Sequence, residues 1–554
     1  MSSAPGTRLG IPRGRESRVA LLLFTALTLL FTYPLSLHPG SASLGSDPDV
    51  HAFTWTLGWD VHAFTSQPWS IFDANIFFPY RRTLAFSENL IGSAFFAAPV
   101  VWLTGNYVLA MNVVAMSSVI LCGVGAYVLA RQLGLSGTSA ALCGLVFAFS
   151  PARFFRFQQI HLTAIQWIPF TLAALHAYFD SGRARDVRFA IAFFTLQALT
   201  SLHGAVFLVI AMAVLVLHRL ITGTPVDAAR RARDVGVGGA LLGAPAVLLA
   251  APYLRVQQDM GLVRALENWI PAPESFLASP TLLHSALIAR FGDPSLNERA
   301  SAFLFPGYVP LLLTMMAFGS LRDSSRRRDV VVYALITLVA LLLSVGPPLS
   351  IWPYVYSLPG FNFIRIPTRF FLLAVFGIAV LSAMGMERVL AITAPWMRRV
   401  VGVVTCVLLL AEFVAIPLPL TPYTIQFAAV DRWLATRPGS FAIAEVPVGP
   451  SARYHSTYML HSMAHWQRTV HAHSSVQTPL QEQLYDRLRS FPDDASLQML
   501  SNLGVTYIVV HRDMYQPGEW RHVETALSRY AARLSPEYAD DTGRVYRLMK
   551  PLNP

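Results

Sequence analysis

The stretch RGRESRVALLLFTALTLLFTYPLSL, residues 13–37, decides the fold class. It joins a basic flank to an apolar run of about 20 residues. That is the length at which a helix crosses a bilayer with every backbone hydrogen bond closed internally. Further runs follow near 106–130, 137–150, 160–179, 187–201, 203–218, 235–254, 303–321, 330–346, 370–387 and 399–417, after the first at 19–37. The chain of 554 residues is 54% hydrophobic and only 13% charged, with a mean hydropathy of +0.48. Soluble domains carry about 25% charge, so most of this surface is built to face lipid. The reading is an all-α polytopic membrane bundle in the cytoplasmic (inner) membrane.

The net charge of +11 excludes less than it first suggests. Spread over a soluble surface it would point to nucleic acid. Here the cations are arginines gathered between apolar runs, the positive-inside pattern, and nucleic acid drops out as a partner. Arg8, Arg13, Arg15 and Arg18 precede the first run and place the N-terminus in the cytoplasm. The later clusters are Arg183/Arg185/Arg188, Arg219 with Arg230/Arg231/Arg233, Arg322 with Arg326/Arg327/Arg328, and Arg388 with Arg398/Arg399. An even number of runs separates each cluster from the one before, so all fall on one side. The apolar stretch 89–105 would break that parity if it crossed. It is short and holds Pro99, and reads as a re-entrant or juxtamembrane helix. About eleven crossings and an external C-terminus result. Ser-Ala-Ser at 41–43 imitates a signal-peptide cleavage site, but the long run before it and the many spans after it read as an uncleaved anchor.

The organisation expected is a cytoplasmic tail over 1–18, a membrane domain over 19–417 and an extracytoplasmic domain over 418–554. The membrane domain includes a first external loop at 38–105 and another at 255–302. The tail from 418 onward loses hydropathy. Strand-like runs at 441–446, 505–510 and 545–548 alternate there with helical stretches near 427–436 and 519–534, the pattern of a small α/β domain. Cys122, Cys143 and Cys406 each sit inside an apolar run at no metal-site spacing, and read as small buried hydrophobes.

Two groups of residues carry chemistry. The loop LGSDPDVHAFTWTLGWDVHAFTSQPWSIFDANIFFPYRRTLAFSENL, 44–90, holds Asp47, Asp49, Asp60, Asp73 and Glu88 among several tryptophans. His51, Trp55 and Trp59 recur every fourth residue, so a helix would line them on one face near the membrane interface, with Asp49 at its start. Paired carboxylates beside a membrane can act as a general base or hold a divalent cation such as Mg²⁺ or Mn²⁺. Asp47 and Asp60 read equally well as helix caps or solvated loop residues. The second group is the arginines that break the positive-inside pattern: Arg81, Arg82, Arg153, Arg156, Arg365 and Arg369. A cation near the external end of a span needs a partner, either an acid such as Glu88 or Glu267, or a phosphate that accepts the guanidinium's fork. His161 is a further polar candidate, whereas His203 reads as a packed polar residue.

At these residues the chain resembles the GT-C superfamily of membrane glycosyltransferases, in its large bacterial branch. The resemblance rests on Asp49, on Trp55 six positions later, and on FPYRRTLAF at 78–86. It also rests on FSPARFFRFQQIHLTAIQWIPF at 149–170, PGFNFIRIPTRF at 359–370 and LGVTYIVV at 503–510. It covers about 19 to 550, and departs from better-known members in 255–302, where no acceptor motif stands. The resemblance implies transfer of a sugar from a polyprenyl-phosphate donor to an extracytoplasmic acceptor (an envelope glycan, glycolipid or protein), usually with inversion. In that scheme Asp49 is the base or metal ligand and Asp47 its acidic neighbour. Arg153, Arg156, His161, Arg365 and Arg369 serve the donor phosphate, with Glu88 and Trp55 lining the site. A lipid transporter and a non-catalytic envelope scaffold are the rival readings. Transporters tend to show internal repeats, and none is evident here.

Overall fold

The computed structural model describes residues 14–45, 48–222, 225–260, 271–345, 349–356, 358, 364, 366–449, 451–474, 476 and 478–549. The chain divides into two compact units. A helical unit holds Met1–Pro39, Asn112–Ala251 and Gly261–Leu420, and a sheet unit holds Gly40–Met111, Pro252–Met260 and Thr421–Pro554.

In the helical unit the apolar runs become helices. Arg15–Phe31, Gly137–Phe149, Ala184–Thr200, Leu202–Thr222, Ser324–Ser344, Phe371–Ile392 and Arg398–Phe413 follow the sequence expectation closely. The run at 160–179 is broken into Ile160–Thr163 and Trp167–Ser181, and Tyr308–Phe318 covers only part of 303–321. Phe371–Ile392 is buried along almost its whole length and packs against Gly137–Phe149, Tyr308–Phe318 and Ser324–Ser344. Its Gly377 and Gly385 permit that approach, because a methyl group at either would collide with Thr337 or with the Leu313 carbonyl. Arg398–Phe413 turns Val400, Val403, Val404, Val407 and Leu408 outward, each about half exposed. Their i, i+3, i+4, i+7, i+8 spacing makes one apolar stripe, which lipid accommodates and water does not.

Among the described residues three helices are long and apolar enough to cross a bilayer: Tyr107–Gln132, Leu202–Thr222 and Pro367–Ile392. Shorter apolar helices are Ile91–Thr104, Gly137–Phe149, Leu282–Phe291 and Tyr308–Arg322. The chain is therefore an integral membrane protein. Ile91–Thr104 carries Pro99 within it, as the short stretch at 89–105 suggested. Leu282–Phe291 is an addition, since 255–302 had been read only as loop. It is anchored by Leu282 N–H on Val414 O at 2.9 Å and by His284 Nε2 on Glu412 at 2.8 Å. Glu412 also caps Tyr308–Phe318 by accepting from the amides of Tyr308 and, at 3.0 Å, Val309.

The arginine clusters collect at one end of the helical unit. Arg131 pairs with Glu16 at 2.8 Å, and Arg326 donates to the carbonyls of Leu133 and Gly134. Glu387 accepts from Ser136 and Ser139 at the start of Gly137–Phe149. Arg219 lies 3.5 Å from both Asp180 and Asp329. Each contact ties the end of one helix to the end of another.

In the sheet unit, β1 (Ala42–Ser43) pairs antiparallel with β2 (Thr421–Pro422). A five-stranded sheet is built from β3 (Ala442–Val446), β4 (Arg468–Thr469), β5 (Tyr507–His511), β6 (Leu534–Ala539) and β7 (Gly543–Leu548), in the order β4-β3-β5-β7-β6. β3 runs parallel to β4 and β5, while β7 runs antiparallel to β5 and β6. Alternation assigns the two faces: Ile508 and Val510 join one apolar cluster with Leu484, Leu497 and Trp520, and Val509 joins the other with Val430 and Leu434. The first loop groups with this unit. Phe78 N–H donates to Thr469 O at 3.0 Å and Thr469 N–H to Asn75 O at 2.7 Å, so backbone pairing continues β4 into the loop.

Candidate functional site

The helix Pro48–Ser66 carries the first candidate group. Its opening turn holds Asp49, and the face His51, Trp55, Trp59 forms as the four-residue spacing requires. That face meets protein and not the membrane interface. The His51 ring stacks on Tyr423 at 5.6 Å, and its Nδ1 lies 3.2 Å from Ser456 Oγ. Trp55 Nε1 donates to Ser462 Oγ at 3.3 Å, and Trp59 Nε1 to Ile71 O at 2.8 Å. Trp55 is only 2% exposed. With its indole N–H taken, it fixes the helix in place, a packing role that replaces the site-lining one. The cause is ordinary: a buried indole keeps its N–H bonded, and Ser462 supplies the acceptor.

Asp49 stands apart from its neighbours. Its side chain is 45% exposed, and Oδ1 lies 3.3 Å from Nε2 of His473, whose own side chain is 22% exposed. Burial, with Arg453, His461 and His473 nearby, pushes His51 down to about 4, so it is neutral at pH 7. The group therefore presents a half-open carboxylate, a histidine that can donate to it, and a second, uncharged histidine. His473 escaped the sequence reading. The available signal was the pair His471/His473 just past a strand, in a segment 424 residues from Asp49.

The other acidic residues of the loop separate sharply. Asp47 lies outside the described residues. Asp73 accepts the Arg82 amide at 2.9 Å, and Arg82 pairs with Asp259 at 3.0 Å, so its counter-charge is not Glu88. Glu88 is buried near Tyr253. Asp60 is neither a cap nor solvated: the helix runs through it, it is fully buried, and neither carboxylate oxygen finds a partner among the described residues. Burial raises its pKa well above the usual carboxylate range, which keeps it protonated and neutral.

The helical unit carries the cationic candidates. Arg153 is 1% exposed, and its guanidinium donates to Ala148 O, Thr163 O, Ser118 Oγ and Cys122 Sγ at 2.8–3.2 Å. Those bonds tie the segment after Gly137–Phe149 to Tyr107–Gln132, so Arg153 positions the turn and offers no fork to a ligand. Arg156, one turn on, donates to Gln159 Oε1 at 3.2 Å and has no carboxylate partner among the described residues. Arg369 NH1 donates to His203 Nε2 at 2.7 Å, and the His203 ring stands edge-on to His161 at 5.3 Å. A guanidinium only donates, so His203 Nε2 is the acceptor. The structure thus joins His161 and Arg369 through His203, which sequence had read as mere packing. Arg365 and Glu267 lie outside the described residues.

A hard divalent cation wants several oxygen ligands. Among the described residues no group of three or more His, Cys, Asp and Glu side chains is placed to hold an ion, and Asp49 has the histidine His473 beside it. The described residues do not by themselves fit such a cation.

The chain has a GT-C-like fold, which it shares with the following solved structures. One solved neighbour is the arabinofuranosyltransferase AftD from Mycobacteria, with a TM-score of 0.58 at 15% identity over 96% of this chain and 40% of that one. Another is the archaeal oligosaccharyltransferase AglB from Archaeoglobus fulgidus, in complex with an inhibitory peptide and a dolichol-phosphate. It has a TM-score of 0.52 at 13% identity over 98% of this chain and 75% of that one. The chain thus spans less than half the length of the mycobacterial enzyme. No family model matches the sequence, and no curated protein does.

Proposed function

We propose that the chain is a membrane glycosyltransferase that moves a sugar from a polyprenyl-phosphate carrier to an extracytoplasmic acceptor, with about eleven crossings and the C-terminal domain, residues 418–554, outside. The observation that carries this reading is Asp49: an accessible carboxylate at the head of an otherwise buried helix, with His473 beside it. Asp49 accepts the proton of the acceptor hydroxyl as its oxygen bonds to the anomeric carbon. The bond from that carbon to the phosphate oxygen breaks, and polyprenyl phosphate leaves. Attack from the face opposite the leaving group inverts the centre. His473 donates to Asp49 and holds its second oxygen toward the acceptor. Arg156 and Arg369 hold the phosphate, Arg369 being oriented by His203 and His161. Arg365 and Asp47 belong to the same proposal by their place in sequence. Lipid and glycan profiling of a strain lacking the chain, beside one carrying Asp49→Asn, tests it. The same glycan should disappear in both; unchanged profiles in both would overturn the reading.

A further inference from the structure

A second site lies at the basic end of the helical unit, where three helix ends meet. They are the close of Phe371–Ile392, the opening of Arg398–Phe413 and the opening of Gly137–Phe149. An open cavity of about 710 Å³ lies among them, lined by Ser136, Thr138, Glu387, Trp396, Arg398 and Arg399. Its volume falls within the roughly 300–1,000 Å³ of small-molecule sites.

The charges in this cavity are unequally engaged. Glu387 Oε2 already accepts from Ser136 N–H at 2.9 Å, Ser136 Oγ at 2.7 Å and Ser139 Oγ at 2.8 Å, and it pairs with neither lining arginine. Arg398 uses only Nε, on Thr393 O at 3.1 Å, which leaves both terminal nitrogens. The Arg399 side chain makes no hydrogen bond or ion pair among the described residues and is exposed. Two guanidinium forks therefore face a cavity whose own carboxylate is bonded through one oxygen to Ser136 and Ser139. The apolar surroundings are as unusual. Trp396 is 78% exposed and Ile392 79%, and the outward stripe Val400, Val403, Val407 begins at the cavity's edge. Tryptophan beside arginine at the end of a span is the composition of a membrane–water interface, and a basic pocket between spans is suited to an anionic headgroup.

We propose that this cavity binds an anionic phospholipid of the surrounding bilayer. Arg398 and Arg399 hold the phosphodiester, Trp396 lies against the glycerol, and the acyl chains run along the valine stripe. A free phosphate would satisfy the arginines but leave the indole and the stripe without a role, so the occupant is a lipid. This inference does not depend on the glycosyl-transfer reading.

The test uses the purified full chain in nanodiscs of phosphatidylcholine with or without phosphatidylglycerol. Native mass spectrometry reads the bound lipid, and thermal unfolding reads its effect. The wild-type chain should retain phosphatidylglycerol selectively and unfold at a higher temperature when it is present. The double change Arg398→Gln and Arg399→Gln should lower that retention roughly tenfold or more, and the corresponding lysines should keep part of it. If the double variant fails to fold, Arg399→Gln alone serves, because Arg399 holds nothing in the protein. Undiminished retention in a folded glutamine variant would overturn the proposal. So would inorganic phosphate, added to phosphatidylcholine discs, raising the unfolding temperature as much as the anionic lipid does.

Discussion

Asp49 and Asp60 occupy the same helix about three turns apart, and the protein treats them oppositely. Asp49 is 45% exposed and has a histidine within 3.3 Å. Asp60 is wholly enclosed, with no partner for either oxygen among the described residues. One carboxylate is half exposed, and the other is held neutral by its surroundings. The arginines divide in a similar way, because both terminal nitrogens of Arg153 are engaged by four protein acceptors, while among the described residues the Arg156 guanidinium has only Gln159. Residue type alone marks both members of each pair. Burial and bonding decide which of them can meet a substrate.

The largest expected effect is at Asp49. Asp49→Asn keeps the shape and loses the proton acceptor, so turnover should fall about 10²–10⁴-fold, with membrane insertion and donor binding retained. His473→Asn comes next. Hydrogen bonds to charged groups contribute about 1.5–3 kcal/mol, so a loss of roughly tenfold to a hundredfold is expected in kcat. The acidic limb of the pH–rate profile should move as well, which a purely structural lesion would not do. Arg369→Lys should raise KM for the donor more than it lowers kcat, because a point charge lacks the two-pronged fit. Arg153→Lys should instead lower the unfolding temperature and leave KM alone; the reverse result would erase the distinction between the two arginines.

Asp60 gives a smaller effect with a defined sign. Its folded pKa lies well above the usual value, so the folded state binds a proton that the unfolded state releases. No cost arises below the unfolded value of about 3.9. Above it, stability declines as pH rises toward the folded value. Asp60→Asn cannot ionise. Its unfolding temperature should fall less than that of the wild type between mildly acidic and alkaline buffers, with transfer activity little changed. Parallel curves for the two proteins would mean that Asp60 is not held neutral.

The Asp431–His461 pair, 3.1 Å apart, should give the smallest shift, in a different window. Burial alone would depress His461, but bonding to Asp431 wins and raises it. Burial alone would raise Asp431, yet His461 holds it below the usual range. The pair's stabilisation is complete between the unfolded aspartate value near 3.9 and the unfolded histidine value near 6.5. It is lost as pH rises through the raised value of His461, and as pH falls through the lowered value of Asp431. Asp431→Asn should flatten both edges.

Local periodicity made much of this legible. The face of His51, Trp55 and Trp59 and the strands at Ala442–Val446, Tyr507–His511 and Gly543–Leu548 all follow from spacing a few residues wide. What escaped depends on distance along the chain. The joining of Gly40–Met111 with the C-terminal sheet rests on pairings such as Phe78 with Thr469 and Asp49 with His473, which leave no mark in a local window. Asp60 escaped for a different reason. An aspartate is read as a cap or a solvated group because burying one unpaired is costly, and here the chain bears that cost between Trp59 and Val61.

The most direct test of the central claim compares Asp49→Asn with Asp60→Asn in one assay. Membranes containing equal amounts of each variant would be given a radiolabelled sugar on polyprenyl phosphate and an envelope extract as acceptor, and initial rates of transfer measured against the wild-type chain. Near-complete loss in Asp49→Asn with near-normal transfer in Asp60→Asn is the result expected of an accessible base and a buried, neutral acid. Full transfer by Asp49→Asn would contradict the account.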